Sequence, residues 1–328
     1  MRHPELFLSR MERQIPVVTL PFRNEADLVT VGKLVGLLKG GADVVIPSLV
    51  KDYWLVGLAA KIARVPNVML LEVERRLRDH YIMDRLRYGV FPDRILVNAA
   101  MIIDTLCETP WMRREIIDPF YAGMTAHGVP TAEQRLETRR GLGVPDNALF
   151  IAGSGRFGVE KRWDWLVKVV AEAVERGENV HCILFGTGPE RSKIEDEIAR
   201  HQLEARFKLP GLHPDYERII GTADMLAHPS EREGMPFAML EAMACGVPVV
   251  ATLSGGIGEK FFDDRNILLA PTQSYDEFAV RFHRLVQSSQ LRERIGLAGL
   301  ETIRTEFAWD TMTDTIMVSL EKAIRNYR

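Results

Sequence analysis

Short apolar runs alternate with helical stretches along almost the whole of this 328-residue chain. Runs at 17–20, 43–46, 67–71 and 94–97 (VVTL, DVVI, NVMLL, RILV) are separated by helix-period patterns at roughly 25–39, 51–64 and 75–88. The alternation resumes with ALFIAG, HCILFG, ARFKLP, DMLAHP, PVVAT and NILLA. Apolar runs of this kind fit strands buried on both faces, and a return through a helix each time makes neighbouring strands parallel. The fold class is therefore α/β. Between the two series lies DPFYAGMTAHGVPTAEQ, residues 118–134, rich in glycine, proline and small residues. It reads as a joint between two doubly wound, Rossmann-like domains, 1–123 and 124–307, followed by a closing helical pair within 288–327 that contains Trp309.

In an open α/β sheet, ligands bind beyond the carboxyl ends of the strands. Four such ends carry candidate residues: Arg156 after ALFIAGS, Gly186 and Gly188 after HCILF, Glu233 after DMLAHPS, and Gly255 with Gly256 after PVVAT. The segment HPSEREGMPFAMLEAMACGVPVVAT, 228–252, sets Glu233 and Glu241 eight positions apart across the turn Glu233-Gly234-Met235-Pro236-Phe237. Pro236 suits a first helical turn, the helix runs from about Phe237 to Ala244, and Gly246 stops it. Free N–H groups at such a helix start attract an anion. A carboxylate before the helix and another one turn inside it are placed to accept sugar hydroxyls. The plainer reading is a solvated Glu233 and a helix-capping Glu241.

Gly153-Ser154-Gly155-Arg156-Phe157-Gly158 matches the G-x-G-x-x-G pattern of dinucleotide sites. Such a site wants an acidic residue at the end of the next strand, and HCILFGTG ends in glycine and threonine. Arg156 and Lys161, five apart at the loop and helix start, instead suit a diphosphate, which arginine binds bidentately. Two surface cations on an amphipathic helix is the alternative.

The E-x7-E spacing within PSEREG and GVPVVAT, together with GRFGVEK, resembles the retaining glycosyltransferases of family 4, which have the two-domain GT-B fold. The resemblance covers most of the chain and is best over 150–270. It implies two Rossmann-like domains whose parallel sheets face each other across a cleft, the last helix (about 308–328) crossing back to the first domain. It implies that Glu233 contacts the donor sugar and Glu241 the ribose, and that Arg156 and Lys161 hold the diphosphate. Glu233, Arg156 and Lys161 form its catalytic set, and the donor surface takes in Gly155, Gly186, Gly188, Ser230, Gly234, Met235, Pro236, Phe237, Gly255 and Gly256. The family needs no metal ion and no cofactor. The donor expected is a UDP-sugar, with a GDP-sugar next. The N-terminal domain would take a glycan, lipid-linked or small-molecule acceptor.

The chain departs from that family at its start. MRHPELFLSRMERQ reads as a helix, and the pattern is entered at IPVVTLP, which resembles the third strand. A truncated or rearranged N-terminal domain follows, with a homodimer through it as one way of covering unpaired strand edges. Glu72 stands where the family often carries a histidine facing the sugar. It either hydrogen-bonds a sugar hydroxyl or begins a polar helix segment. Three other function classes remain: a non-catalytic nucleotide-sugar-binding or scaffold protein, a sugar-nucleotide epimerase, and a dehydrogenase.

Composition narrows the partners. With 42 basic and 45 acidic side chains, net charge −3, no stretch has the basic excess of a nucleic-acid surface. Three scattered cysteines form no CxxC, and the first residues lack an apolar leader, so a cytoplasmic protein is expected. No window reaches about 18 uninterrupted apolar residues. The basic stretch 74–90 reads as a solvated helix or as a peripheral contact at the inner face of a membrane. Asp263-Asp264 in FFDDRN looks like a metal pair but reads as a solvated loop, and the eight histidines have no metal-ligand spacing. His228, just before Pro229, lines the pocket or is structural.

Overall fold

The computed structural model describes residues 16–20, 24, 27–71 and 76–327. They gather into two compact units, one of Met1–Leu70, Asp79–Ile95 and Leu320–Arg328, the other of Leu71–Arg78 and Leu96–Ser319.

In the first unit, helix α1 (Leu28–Lys39) starts where the Asp27 carboxylate accepts the Thr30 N–H at 3.0 Å. Helix α2 (Tyr53–Ala63) ends in a left-handed Arg64. The two pack through Val31, Leu38, Leu55 and Ala59. Strand β1 (Val68–Leu71) follows, matching NVMLL. DVVI yields only a parallel bridge, Val45 to Asn67. Leu70 N–H still donates to Pro47 O at 2.9 Å, but Pro47 has no N–H to return, so no strand forms there. Residues 16–20 are irregular, with Val18 61% exposed, so VVTL is not a strand either: no ladder partner lies beside it among the described residues. The expected helix at 75–88 shrinks to Ile82–Asp84 continued by a π-helical Arg85–Val90. Tyr88 is fully buried and meets Tyr53 edge-on at 5.9 Å, and Arg87 is buried too, so a continuous basic surface helix is not formed. Strand β2 (Arg94–Val97) is buried throughout. The chain end is counted in this unit, with Lys61 Nζ 5.3 Å from the Tyr327 ring.

The division between the two compact units falls within β2. Leu96–Ser319 group with the second unit, and one carboxylate explains much of that. Glu259 accepts the N–H groups of Ala100 and Met101, both at 2.9 Å, and the Tyr121 hydroxyl at 2.6 Å. Strand β3 (Ile117–Pro119), inside the stretch read as a joint, completes a small sheet of order β1-β2-β3. Helix α3 (Met101–Cys107) precedes it. Helix α4 (Ala132–Leu142) opens on a capping box of Thr131 and Gln134 and stops at left-handed Gly143.

The second unit is built on a six-stranded parallel sheet. Its strands are β4 (Leu149–Ser154), β5 (Val180–Phe185), β6 (Phe207–Gly211), β7 (Met225–His228), β8 (Val249–Thr252) and β9 (Leu268–Ala270). The order is β6-β5-β4-β7-β8-β9. Successive strand residues face opposite cores, as a period of two demands. Ile151 and Leu184 pack with helices α5 (Trp163–Glu175), α6 (Arg191–Arg200) and α9 (Tyr275–Gln287). Phe150 and Ile183 pack with α7 (Tyr216–Ile220), α8 (Phe237–Ala244) and Ile303 of α10 (Ser289–Glu306). Asp224 locks α4 to the sheet, accepting Arg139 Nη2 and the Phe150 N–H at 2.7 Å each. The winding reverses between β4 and β7, and that is where an open sheet leaves a crevice for ligands. Helix α11 (Trp309–Tyr327) closes the chain, and among the described residues no helix is long and apolar enough to cross a membrane.

Candidate active site

The loop after β4 folds across the end of β5. Gly155 N–H donates to Phe185 O at 3.0 Å and Phe157 N–H to Thr187 O at 2.9 Å, with the Phe157 ring fully buried. Gly186, at φ +140°, makes this possible: a Cβ there would stand 1.9 Å from Gly155 O. Gly188 meets Phe157 O in the same way, at 2.4 Å. The glycines expected under a donor are thus needed to nest two protein loops. Arg156 and Lys161 leave this nest with different partners. Arg156, 63% exposed, donates to Glu160 Oε1 at 2.6 Å, and Lys161 is bonded to Glu233 Oε1.

The loop after β7 is fixed from both sides. The Glu231 N–H donates to Glu160 O at 2.8 Å, and the Ser230 hydroxyl lies 3.2 Å from that carbonyl. Ser230 is fully buried, so its hydroxyl knits loops and does not face a ligand. On the other side, Gly255 at φ +58° admits the Glu233 carbonyl to within 2.2 Å of where a Cβ would be, and Gly256 N–H donates to Gly234 O at 2.8 Å. Met235 points into the core with Met239 and lines no surface. Pro236 caps α8 one position ahead of its first turn. Phe237 remains 43% exposed.

Glu233 is the point of convergence. Its side chain is 11% exposed, and Oε1 receives both Lys161 and His228 Nε2, the latter at 2.7 Å. Burial alone pushes this carboxyl up, but the His228 ring and the Lys161 ammonium outweigh it and bring it down to about 2. Glu241 lies apart from it, inside α8. It accepts the Tyr216 hydroxyl at 2.8 Å and, with Phe237, Arg218 and Trp309, lines a cavity of about 640 Å³. Glu233, Lys161 and Arg156 are not among that cavity's lining residues. Glu72 lies outside the described residues.

Two groups were not singled out by sequence. Glu259 clamps Ala100, Met101 and Tyr121, as above; its only signal is a carboxylate closing the glycine run Gly255-Gly256-Ile257-Gly258. Burial and Glu259 keep the Tyr121 phenol protonated well past its ordinary range, and Lys260 Nζ lies 5.0 Å from its ring. Arg162, left-handed at φ 49°, joins Glu231 at 2.7 Å and stacks on Trp165. Asp263 and Asp264, read as a solvated loop, are instead bound by Arg281, Arg284 and Arg294. Among the described residues no cluster of three or more His, Cys, Asp or Glu side chains is placed to hold a metal.

Residues 134–302, just over half of the chain, match the model of the family Glycosyl transferases group 1. The chain belongs to that family. In this transferase the matched stretch contains Arg156, Lys161, His228, Glu233, Glu241 and Glu259. It is 26% identical over 294 residues to the D-inositol 3-phosphate glycosyltransferase of Saccharomonospora viridis, covering 85% of this chain and 68% of that protein. It is 27% identical over 233 residues to the lipopolysaccharide core biosynthesis glycosyltransferase LpsE of Rhizobium meliloti, covering 71% and 65%. The transferase thus spans about two thirds of the length of these relatives. Among solved structures, Anabaena HepE in complex with UDP-glucose superposes with TM-score 0.86 at 22% identity, over 96% of this chain and 89% of that one. The sucrose-phosphate synthase of Thermosynechococcus elongatus gives 0.74 at 19%, over 95% and 82%. The GT-B expectation for the fold is met.

Proposed function

We propose that this glycosyltransferase moves a sugar from a UDP-sugar to an acceptor hydroxyl with retention of configuration. The observation that carries the donor reading is the meeting of Lys161, His228 and Glu233 at the β4–β7 reversal of the sheet, a cation and a carboxylate side by side where a ligand crevice belongs. Lys161 and Arg156 serve the diphosphate, Glu233 the sugar hydroxyls, and Glu241 the ribose from the wall of its cavity. The preference for uridine draws on HepE, whose structures hold UDP and UDP-glucose. The names of the relatives point to a hydroxyl acceptor on a polyol phosphate or a saccharide core.

In the reaction the bond from the anomeric carbon to the diphosphate oxygen breaks, and its electron pair leaves with the diphosphate. A bond forms from that carbon to the acceptor oxygen, whose proton is released. Negative charge grows on the leaving phosphate, and fixed cations stabilise it best when they are in place beforehand. Positive charge grows on the sugar carbon, and an ionised Glu233 beside the ring favours it.

Thermal unfolding with UDP, GDP, ADP, their sugar conjugates and NAD tests the donor. A ligand at about 100 times its Kd adds roughly 2.7 kcal/mol, and the midpoint should rise with uridine ligands. A shift with NAD alone would refute the reading. The anomeric configuration of the isolated product, read by NMR coupling constants, tests retention.

A further inference from the structure

One oxygen, Glu233 Oε1, is shared by two donors of different character. The Lys161 ammonium, on the last residue of the 3-10 turn Val159–Lys161, is carried on a flexible four-carbon stem, its side chain 15% exposed. His228 is the last residue of β7, in register with Ala251 of β8, and is 2% exposed. Its ring meets Trp163 edge-on at 6.1 Å, so it has little room to turn. Its Nε2 donates to Glu233, while Nδ1 is buried with no hydrogen-bond partner among the described residues. The ring is thus held for one bond. Glu233 Oε2 carries no hydrogen bond among the described residues and is the oxygen left for a ligand.

In the protein without donor, Glu233 is the counter-ion of Lys161. A diphosphate carries more negative charge than one carboxylate and draws the ammonium away from it. That exchange would leave a nearly buried carboxylate without a donor, a costly state where no second partner exists. We propose that His228 is a positioning residue for donor capture: it keeps Glu233 fixed when the diphosphate takes Lys161. Glu233 then competes with the diphosphate for Lys161, and His228 weakens that competition. The proposal rests on the donor-site reading above.

The test is a double-mutant cycle on UDP affinity, measured by calorimetry with the full chain. In the wild-type background His228→Ala should weaken UDP binding by about tenfold to a hundredfold, the worth of a hydrogen bond to a charged group. In the Glu233→Gln background the same change should do almost nothing, and Glu233→Gln alone should bind UDP more tightly than wild type. His228→Gln, which keeps an N–H donor within reach and perturbs packing less, should recover most of the loss. Equal loss from His228→Ala in both backgrounds would make His228 a packing residue and overturn the proposal alone. Wild-type protein that binds none of UDP, GDP and ADP would overturn the donor-site reading, and the proposal with it.

Discussion

At Glu233 burial and its neighbours pull in opposite directions, and the hydrogen-bonded His228 ring and the Lys161 ammonium win. Its folded value, about 2, lies below that of an ordinary glutamate at 4.5. Ionised Glu233 therefore stabilises the fold at neutral pH, on the order of 3 kcal/mol, and the contribution fades as pH falls from about 4.5 to about 2. Wild type and Glu233→Gln should differ in urea midpoint most near pH 7 and converge only below about pH 2; a gap that stays constant would contradict this. Gly255 is a second decisive residue. Gly255→Ala would press a Cβ to 2.2 Å from the Glu233 carbonyl at a φ that alanine disfavours. We expect a loss of about 1–3 kcal/mol and impaired donor binding, read from thermal midpoints with and without UDP. At this scale the sequence showed the residue types but not their pairing. The spacing of Glu233 and Glu241 suggested a site. Nothing local announced that Lys161 would bond Glu233, 72 positions on, or that Ser230 and Met235 would turn inward.

Among the elements, the short 3-10 turn Gly255–Glu259 does two jobs at once. Its first two residues hold the Glu233–Gly234 backbone, and its last carboxylate caps the start of α3 and holds Tyr121. Glu259→Gln removes the charge from three hydrogen bonds and offers one acceptor where two were used. A loss of about 2–3 kcal/mol is expected, together with a Tyr121 phenol that ionises at lower pH, followed by its absorbance near 295 nm. An unchanged phenol titration would show that Glu259 does not hold Tyr121. Most strands of the six-stranded sheet were legible as short apolar runs flanked by glycine or a polar turn, β6 (FKLPG) being interrupted by Lys208. The basic stretch 74–90 was not: its charges suggested a surface helix, but Tyr88 needs a place against Tyr53 and takes Arg87 inward with it. DVVI failed for a local reason, the proline that follows it.

For the whole molecule, the α/β class follows from the alternation of runs, and the strand order, which alternation does not fix, puts Arg156, Lys161 and Glu233 at the ends of two adjacent strands. The division of the chain was less legible. Glycine and proline at 118–134 suggested a boundary, but a carboxylate 138 positions beyond Tyr121 ties residues 100, 101 and 121 to the second unit. Composition carries no trace of such a long-range contact. The central claim is that this unit recognises a nucleotide-sugar through Glu233. Calorimetric titration of UDP and UDP-glucose into wild type and Glu233→Ala tests it most directly. The account predicts that wild type binds both, and that the variant loses at least about tenfold in UDP-glucose affinity while its UDP affinity holds or improves. Equal losses for both ligands, or a wild type that binds neither, would contradict it.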